Sequence, residues 1–303
     1  NPSYENEWYL LNQLTLDQTY QENLYEVAHG VSFSGEMGYT IGIRINGKTT
    51  YYGAKGNSSG KVKVTAPFFW SFDKNDQRRD LTFANFDIRE GDNGNTVETM
   101  QGNAPFGIYL AKWDPRKMTD KWLNAARASA DKVATGINNV IMRYADVLLL
   151  YAEALNELDG SYDIPSWDGS AMYTLRRDVN ELKKGIQPVR IRAGVPDYTS
   201  SEYQNKEMFR KKLKRERQIE FMGENHRYYD LRRWKDAPQE EETLIYGCNM
   251  LMDEARRDLF HTPVAIMSLP VRFVEKSYFW PFSHGQLQRN KRLTQNPGWT
   301  YYD

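Results

Sequence analysis

Glu216 and Glu220 stand four residues apart in residues 208–235, where ionisable and aromatic side chains are mixed more densely than anywhere else in the chain. On a helix this spacing puts both carboxylates on one face, one turn apart. Two acids a few ångström apart can cleave a glycoside, one donating a proton while the other acts as base or nucleophile. They also repel each other unless cations lie between them, and Arg217, Arg227, Arg232 and Arg233 are close enough in sequence to supply those cations. The expectation is an internal ion-pair lattice in which Arg217, Glu220, Arg227 and Asp230 are structural, with a catalytic pair as the sharper alternative. His226 has no second histidine at metal-ligand spacing, so a hydrogen-bonded helix residue is expected rather than a metal ligand. Residues 56–60 fit the G-x-S-x-G nucleophile elbow, but that chemistry needs an apolar strand before the serine and a helix after it. A lysine-rich strand follows instead, so the segment reads as a polar loop, and no catalytic residue, metal or cofactor is expected.

A second kind of chemistry is stacking. Aromatic residues make up 14% of the chain, with 20 tyrosines and 8 tryptophans, and such rings fill cores or lie against sugar faces. Tyr51 and Tyr52 adjoin a glycine-rich loop, Trp70 precedes a charged turn, and Trp113 precedes Pro115. These four are the expected ligand-binding platform; the alternative for each is a plug in the core.

The bulk numbers exclude some classes. In 303 residues, 40 lysines and arginines balance 40 aspartates and glutamates, so no basic surplus draws the chain to nucleic acid or anionic lipid. The single cysteine, Cys248, cannot form an internal disulfide and reads as a small buried hydrophobe. No apolar run reaches the ~18 residues of a membrane span, and the start, Asn1-Pro2-Ser3-Tyr4, has neither methionine nor a signal-peptide core.

Several elements must position these residues. The clearest expected helix covers residues 139–159, with an apolar stripe of Tyr144, Leu148, Tyr151, Leu155 and Leu158 and a stop at Gly160. A second, residues 170–184, would bury Met172, Leu175, Val179 and Leu182 and end at Gly185, making a helical hairpin with the first. Thr199 and Glu202 form a capping box for a helix entered near residue 201. Residues 4–28 read as helix or loop followed by a short strand over residues 24–28. Asn46-Gly47, between alternating runs, predicts a β-hairpin over residues 39–52, and residues 61–65 add another strand. Residues 73–82 read as a charged turn and 89–105 as a solvent loop. Helix is expected over 240–258, and strand over 264–267 and 278–280.

Arg215-Glu216-Arg217-Gln218-Ile219-Glu220, with Gly223-Glu224-Asn225-His226-Arg227-Tyr228-Tyr229-Asp230-Leu231-Arg232-Arg233-Trp234, resembles the E-R-x-x-E-x-x-x-E-x-x-R-x-x-D-L-x-R-W block of SusD/RagB outer-membrane lipoproteins. Further segments match in order. Residues 73–82 resemble the family's D-x-R-x-x-x-T element and residues 107–113 its G-x-Y-x-x-K strand. Residues 143–154 resemble its R-x-A-E/D-V-L-L-x-Y-A-E-A helix, residues 190–194 its R-x-R-A-G turn, and residues 293–299 its L-x-Q-N-P-G-Y/W terminus. Two local departures are Pro281-Phe282-Ser283 for P-I-P and Asn290-Lys291-Arg292-Leu293 for N-P-x-L.

The resemblance implies a mostly α fold: tetratricopeptide-like helical hairpins in an α-α superhelix, with irregular loops and a few short strands. Residues 1–136 would be the irregular, strand-containing region, 137–235 the helical scaffold and 236–303 a C-terminal packing segment. It implies a non-catalytic surface protein that binds oligosaccharide over a SusC-like, TonB-dependent transporter of the outer membrane. Binding aromatics would sit in the irregular region before the second helical set. Such proteins carry a lipidated cysteine and a first helical set upstream, so the sequence reads as the C-terminal portion of a longer protein. A helical-repeat adaptor and a glycoside hydrolase are the competing readings.

Overall fold

The structure, a computed structural model, describes residues 1–31, 37–38, 40–53, 59–100, 108–241 and 272–301. Helix α1 (Tyr4–Asn12) begins at Ser3, whose hydroxyl accepts from the Asn6 N–H, and turns Tyr4, Trp8 and Leu11 inward. The expected strand follows as β1 (Asn23–Val27) and pairs antiparallel with a segment far along the chain, residues 139–143.

The Asn46-Gly47 hairpin does not form. Asn46 N–H donates to Ile88 O at 2.7 Å and Ile88 N–H to Arg44 O at 2.9 Å, so this segment bridges to a distant strand rather than to residues 48–52. Burial explains the choice, because Ile43, Ile45 and Ile88 all enter the core, whereas a local hairpin has no third layer to cover them. Gly47 keeps the positive φ, 91°, that a turn requires.

Short helices and strands of the first half frame that core. β2 (Lys63–Val64) and α2 (Ala66–Trp70) precede α3 (Gln77–Thr82), which Asp76 caps by accepting from the Arg78 N–H. The expected charged turn is therefore a capped helix. β3 (Phe83–Ala84), β4 (Phe86–Glu90), β5 (Thr96–Met100) and β6 (Ile108–Leu110) follow. β6 is central in a three-stranded sheet with β2 and β3, and β4 pairs with β5 across part of the segment expected to be loop. Helix α4 (Asp120–Ala128), capped by Thr119, closes the region with Trp122 and Ala126 facing inward.

Among the described residues the second half is mainly helical, with one strand and one hairpin. The helix expected from residue 139 begins five residues later: β7 (Asn139–Arg143) is the partner of β1, and α5 (Tyr144–Glu157) starts after it. Its buried stripe is Ala145, Leu149, Ala152 and Leu155; of the expected stripe Leu155 is in it, Leu148, Tyr151 and Leu158 pack half-buried along its edge, and Tyr144 points to solvent. The helix expected over 170–184 is corrected further. Residues 161–176 form a hairpin, β8 (Ser161–Pro165) with β9 (Met172–Arg176), in which Met172 is exposed. The helix proper is α6 (Val179–Arg192), capped by Asp178 and running through Gly185 and Pro188. Gly185 lies at the crossing with α5: an added Cβ would stand 2.5 Å from Leu148 O and 2.7 Å from Ala152 Cβ.

α7 (Ser200–Gln204) begins with the expected capping box at Thr199 and Glu202. The chain then recaps at Asn205 for α8 (Lys206–Glu220) and continues as α9 (His226–Arg233) and α10 (Ala237–Glu240). Among the described residues the core has two large clusters, one from α1, the small sheets and α4, the other from α5, α6, α7 and α8, and a small third one of Leu231, Ala237 and Phe273. Near the end, residues 275–278 form a 3₁₀ turn rather than a strand, followed by α11 (His284–Arg289). Pro297-Gly298 stands in a tight turn: Trp299 N–H donates to Asn296 O at 3.1 Å, and Gly298 has the positive φ, 82°, that a type II turn requires. The strand expected at 264–267, most of the helix expected at 240–258, and Cys248 lie outside the described residues.

Candidate functional site

Glu216 and Glu220 share a face of α8 as their spacing requires, and both are fully buried. The cations between them come from elsewhere than expected. Arg78 donates through Nη1 to Glu216 Oε1 at 2.6 Å and to Glu220 Oε2 at 3.1 Å, while its other donors form a fork on Asp76 at 2.9 and 2.7 Å. Arg190 holds the second oxygen of Glu216 at 2.7 Å. Arg143 and Arg192 hold Oε1 of Glu220 at 3.0 and 2.5 Å, and both also reach Glu22. Lys112 and Arg143 pair with buried Glu224 at 2.5 and 2.8 Å. Arginine suits this work because its planar fork serves several carboxylates at once.

The four expected arginines serve other partners. Arg217 joins Asp146 at 2.7 Å to Asp230 at 2.8 Å, within the buried interior. Arg233 holds Asp230 at 2.8 Å, whereas Arg227 and Arg232 pair at the surface with Glu240 and Glu241. Arg217, Glu220 and Asp230 are thus structural, and Arg227 is a partly exposed surface partner.

Electrostatics decides what the glutamate pair can do. Burial alone would raise the Glu220 pKa, but Arg192, Arg143, Arg78 and Lys112 more than reverse this and hold it well below the ordinary carboxylate range. A buried carboxylate held ionised by this many cations has no proton to give, and the general acid of a glycosidase needs a raised pKa. The geometry therefore assigns this pair to the lattice. His226 stacks on Phe221 with centroids 4.4 Å apart, and burial lowers its pKa against the pull of Glu224 and Asp146. Among the described residues no cluster could hold a metal ion, and Ser58 of the G-x-S-x-G match lies outside them.

Glu7 behaves oppositely to Glu220. Burial, helped by Glu22 and Asp17 and opposed by Arg143 and Asn1, pushes its pKa from 4.5 up to about 7. The folded state then binds the proton more tightly than the unfolded chain, so stability falls as pH rises from about 4.5 through about 7, by about 3 kcal/mol at most. Glu7→Gln is expected to raise the melting temperature at pH 8 and to leave it unchanged near pH 4.5. Equal effects at both pH values, measured by thermal melts, would contradict this.

The four expected platform residues do not form one surface: Tyr51 and Tyr52 meet edge to face with centroids 4.8 Å apart, whereas Trp70 and Trp113 belong to other ring clusters. Tyr51 is 43% exposed, with its backbone carbonyl accepting from Arg127 Nε at 2.7 Å and that guanidinium 4.5 Å over one ring face. Tyr52 and Trp113 are each only 3% exposed, with Tyr52 packed against Trp122 and Trp113 against Trp8. These two have no open face, because the core takes both sides. Trp70 is half-buried beside Phe69. More open aromatics lie elsewhere: Trp167 is 98% exposed at the tip of the β8–β9 hairpin, Tyr173 is 56% exposed on β9, and Trp280 is 78% exposed. A signal for the first existed in Pro165-Ser166-Trp167-Asp168-Gly169, a turn-forming run that brackets the ring.

The chain belongs to the SusD family, whose model matches residues 12–299. Among solved structures it is similar to a SusD homologue from Bacteroides thetaiotaomicron, with TM-score 0.65 and 23% identity over 99% of this chain and 56% of that one. A SusD-like protein from Bacteroides fragilis matches with TM-score 0.61 and 19% identity over 98% of this chain and 58% of that one. Surface glycan-binding protein A from Bacteroides thetaiotaomicron, solved in complex with laminarihexaose, matches with TM-score 0.59 and 17% identity over 98% and 55%. At these identities the likeness is one of fold, and this chain spans a little over half the length of those relatives. No curated protein matches the sequence. The buried lattice coincides with the family's motifs: Asp76, Arg78 and Thr82, all buried, are the D-x-R-x-x-x-T residues, and Arg143 opens the α5 motif.

Proposed function

We propose that this chain is part of a non-catalytic surface protein that binds oligosaccharide and passes it to a SusC-like, TonB-dependent transporter of the outer membrane. It would be anchored through a lipidated cysteine that this sequence does not contain. The supporting observation is the family match over residues 12–299, joined to a relative of the same fold solved with laminarihexaose. In this reading α5–α6 and α7–α8 are tetratricopeptide-like pairs of the scaffold, residues 137–235. Residues 1–136 form the irregular region over it, and residues 236–303 pack at its end. Tyr51 is the leading ring for ligand contact and Trp70 the second, with Tyr52 bracing Tyr51 from the core and Trp113 buried against Trp8.

Calorimetry against purified oligosaccharides, beginning with laminarihexaose, tests the reading. Saturable binding is expected, weakened about tenfold by Tyr51→Ala, the order of one lost ring contact (about 1.4 kcal/mol). Hydrolysis products, or no binding across the panel, would overturn it.

A further inference from the structure

A cleft of about 530 Å³ lies between β9 and the helices α5 and α6, far in sequence from the four rings considered above. Its volume is in the range of small-molecule sites. One wall is Tyr173, more than half exposed, for which no ring partner occurs among the described residues; the facing wall includes Tyr151. The rim carries two cations, Arg176 and Lys184, and two acids, Asp178 and Glu181, so its charges cancel.

Internal bonds account for part of that rim. Asp178 accepts from the Asn180 and Glu181 N–H groups, and Glu181 accepts from Tyr151 Oη at 2.7 Å and from Lys184 at 2.6 Å. Among the described residues the side chains of Arg176 and Asn180 make no hydrogen bond or ion pair, so their donors are left for something else. The wall is also held in place. β8 and β9 pair over five residue pairs, Thr174 Oγ1 donates to Asp163 at 2.6 Å, and Leu175 packs on the second core cluster. Arg177 ties the base to Asn156 Oδ1 at 3.0 Å and to the carbonyls of Tyr203 and Gln204. An exposed ring on a fixed wall loses little freedom when it stacks.

We infer that this cleft is a second carbohydrate subsite, in which a neutral oligosaccharide stacks on Tyr173 and takes hydrogen bonds from Arg176 and Asn180. Sugar hydroxyls are donors and acceptors at once, so they suit a rim of balanced charge, whereas an acidic glycan would meet two carboxylates there. The inference rests on the proposed glycan binding for its class of ligand.

Leucine methyl NMR of the full chain reads the cleft directly, through Leu155 and Leu175 in its lining. The probes are laminarihexaose, maltohexaose, cellohexaose and mannohexaose, with oligogalacturonate as the acidic control. At least one neutral hexasaccharide is expected to shift both residues' methyl signals saturably. Tyr173→Ala should abolish the shifts and Arg176→Ala should weaken them about tenfold, while Tyr51→Ala leaves them unchanged. Silent Leu155 and Leu175 methyls beside calorimetric binding would sink this inference and spare the proposed function; silence in both would sink both. Shifts produced by oligogalacturonate alone, or abolished by Tyr51→Ala, would also overturn it.

Discussion

Replacing Glu220 with alanine should lower the unfolding free energy by about 3–5 kcal/mol, the cost of leaving buried charge uncompensated. Arg78, Arg143 and Arg192 would lose a shared acceptor at 3.1, 3.0 and 2.5 Å, and burial gives them no water in exchange. Urea denaturation at pH 7 measures the loss as a lower midpoint at unchanged slope. Glu220→Gln, which keeps an acceptor and loses the charge, should fall between. The wild type carries a matching acid sensitivity. Because the folded state holds Glu220 below its ordinary 4.5, the stabilisation is complete above that pH and is lost as pH falls below it. An unchanged midpoint with lost turnover of a sugar would instead restore the catalytic reading of the pair.

Trp113→Ala should be comparably damaging, at about 3–5 kcal/mol for a large ring removed from a packed core. Trp113 meets Trp8 edge to face with centroids 6.3 Å apart, and the opposite duties of Trp8 are already taken, since Lys112 Nζ lies 4.5 Å from its ring centroid and Arg143 Cζ 5.2 Å. Neither neighbour can swing in to fill the hole without leaving a carboxylate. Thermal melts should show the loss, and protein that remains folded at low temperature should keep its affinity for oligosaccharide. Lost affinity with an unchanged melt would make Trp113 a ligand contact.

Local signals carried much of the fold. Thr199 and Glu202 announced α7, Pro297-Gly298 announced its turn, and the strand near residue 24 appeared where expected, because each depends on neighbours in sequence. The β8–β9 hairpin was hidden by a coincidence of spacing. Met172, Leu175, Val179 and Leu182 recur at three and four residues, yet the first two belong to a strand and the last two to α6, on opposite sides of the Asp178 cap. Aspartate at that position was the readable start of the helix. Gly185 misled in the other direction, since a glycine needed for close helix contact looks like one that ends a helix. The partners of Glu216 and Glu220 could not be read locally, because Arg78, Arg143, Arg190 and Arg192 reach them from other parts of the chain. Likewise the type of residue at Tyr52 and Trp113 was visible, but not which side of the ring the core would claim.

Residues 22, 78, 143, 192 and 220 meet in one network although they are scattered over most of the chain. No pair of them closes a short loop, so the network can assemble only after the segments that carry it have docked. Contacts made late in folding are absent at the rate-limiting barrier, and strengthening or weakening them changes the rate of escape from the native state more than the rate of reaching it. The cluster is thus expected to act as a latch whose worth is counted in lifetime, with its loss speeding unfolding more than it slows folding.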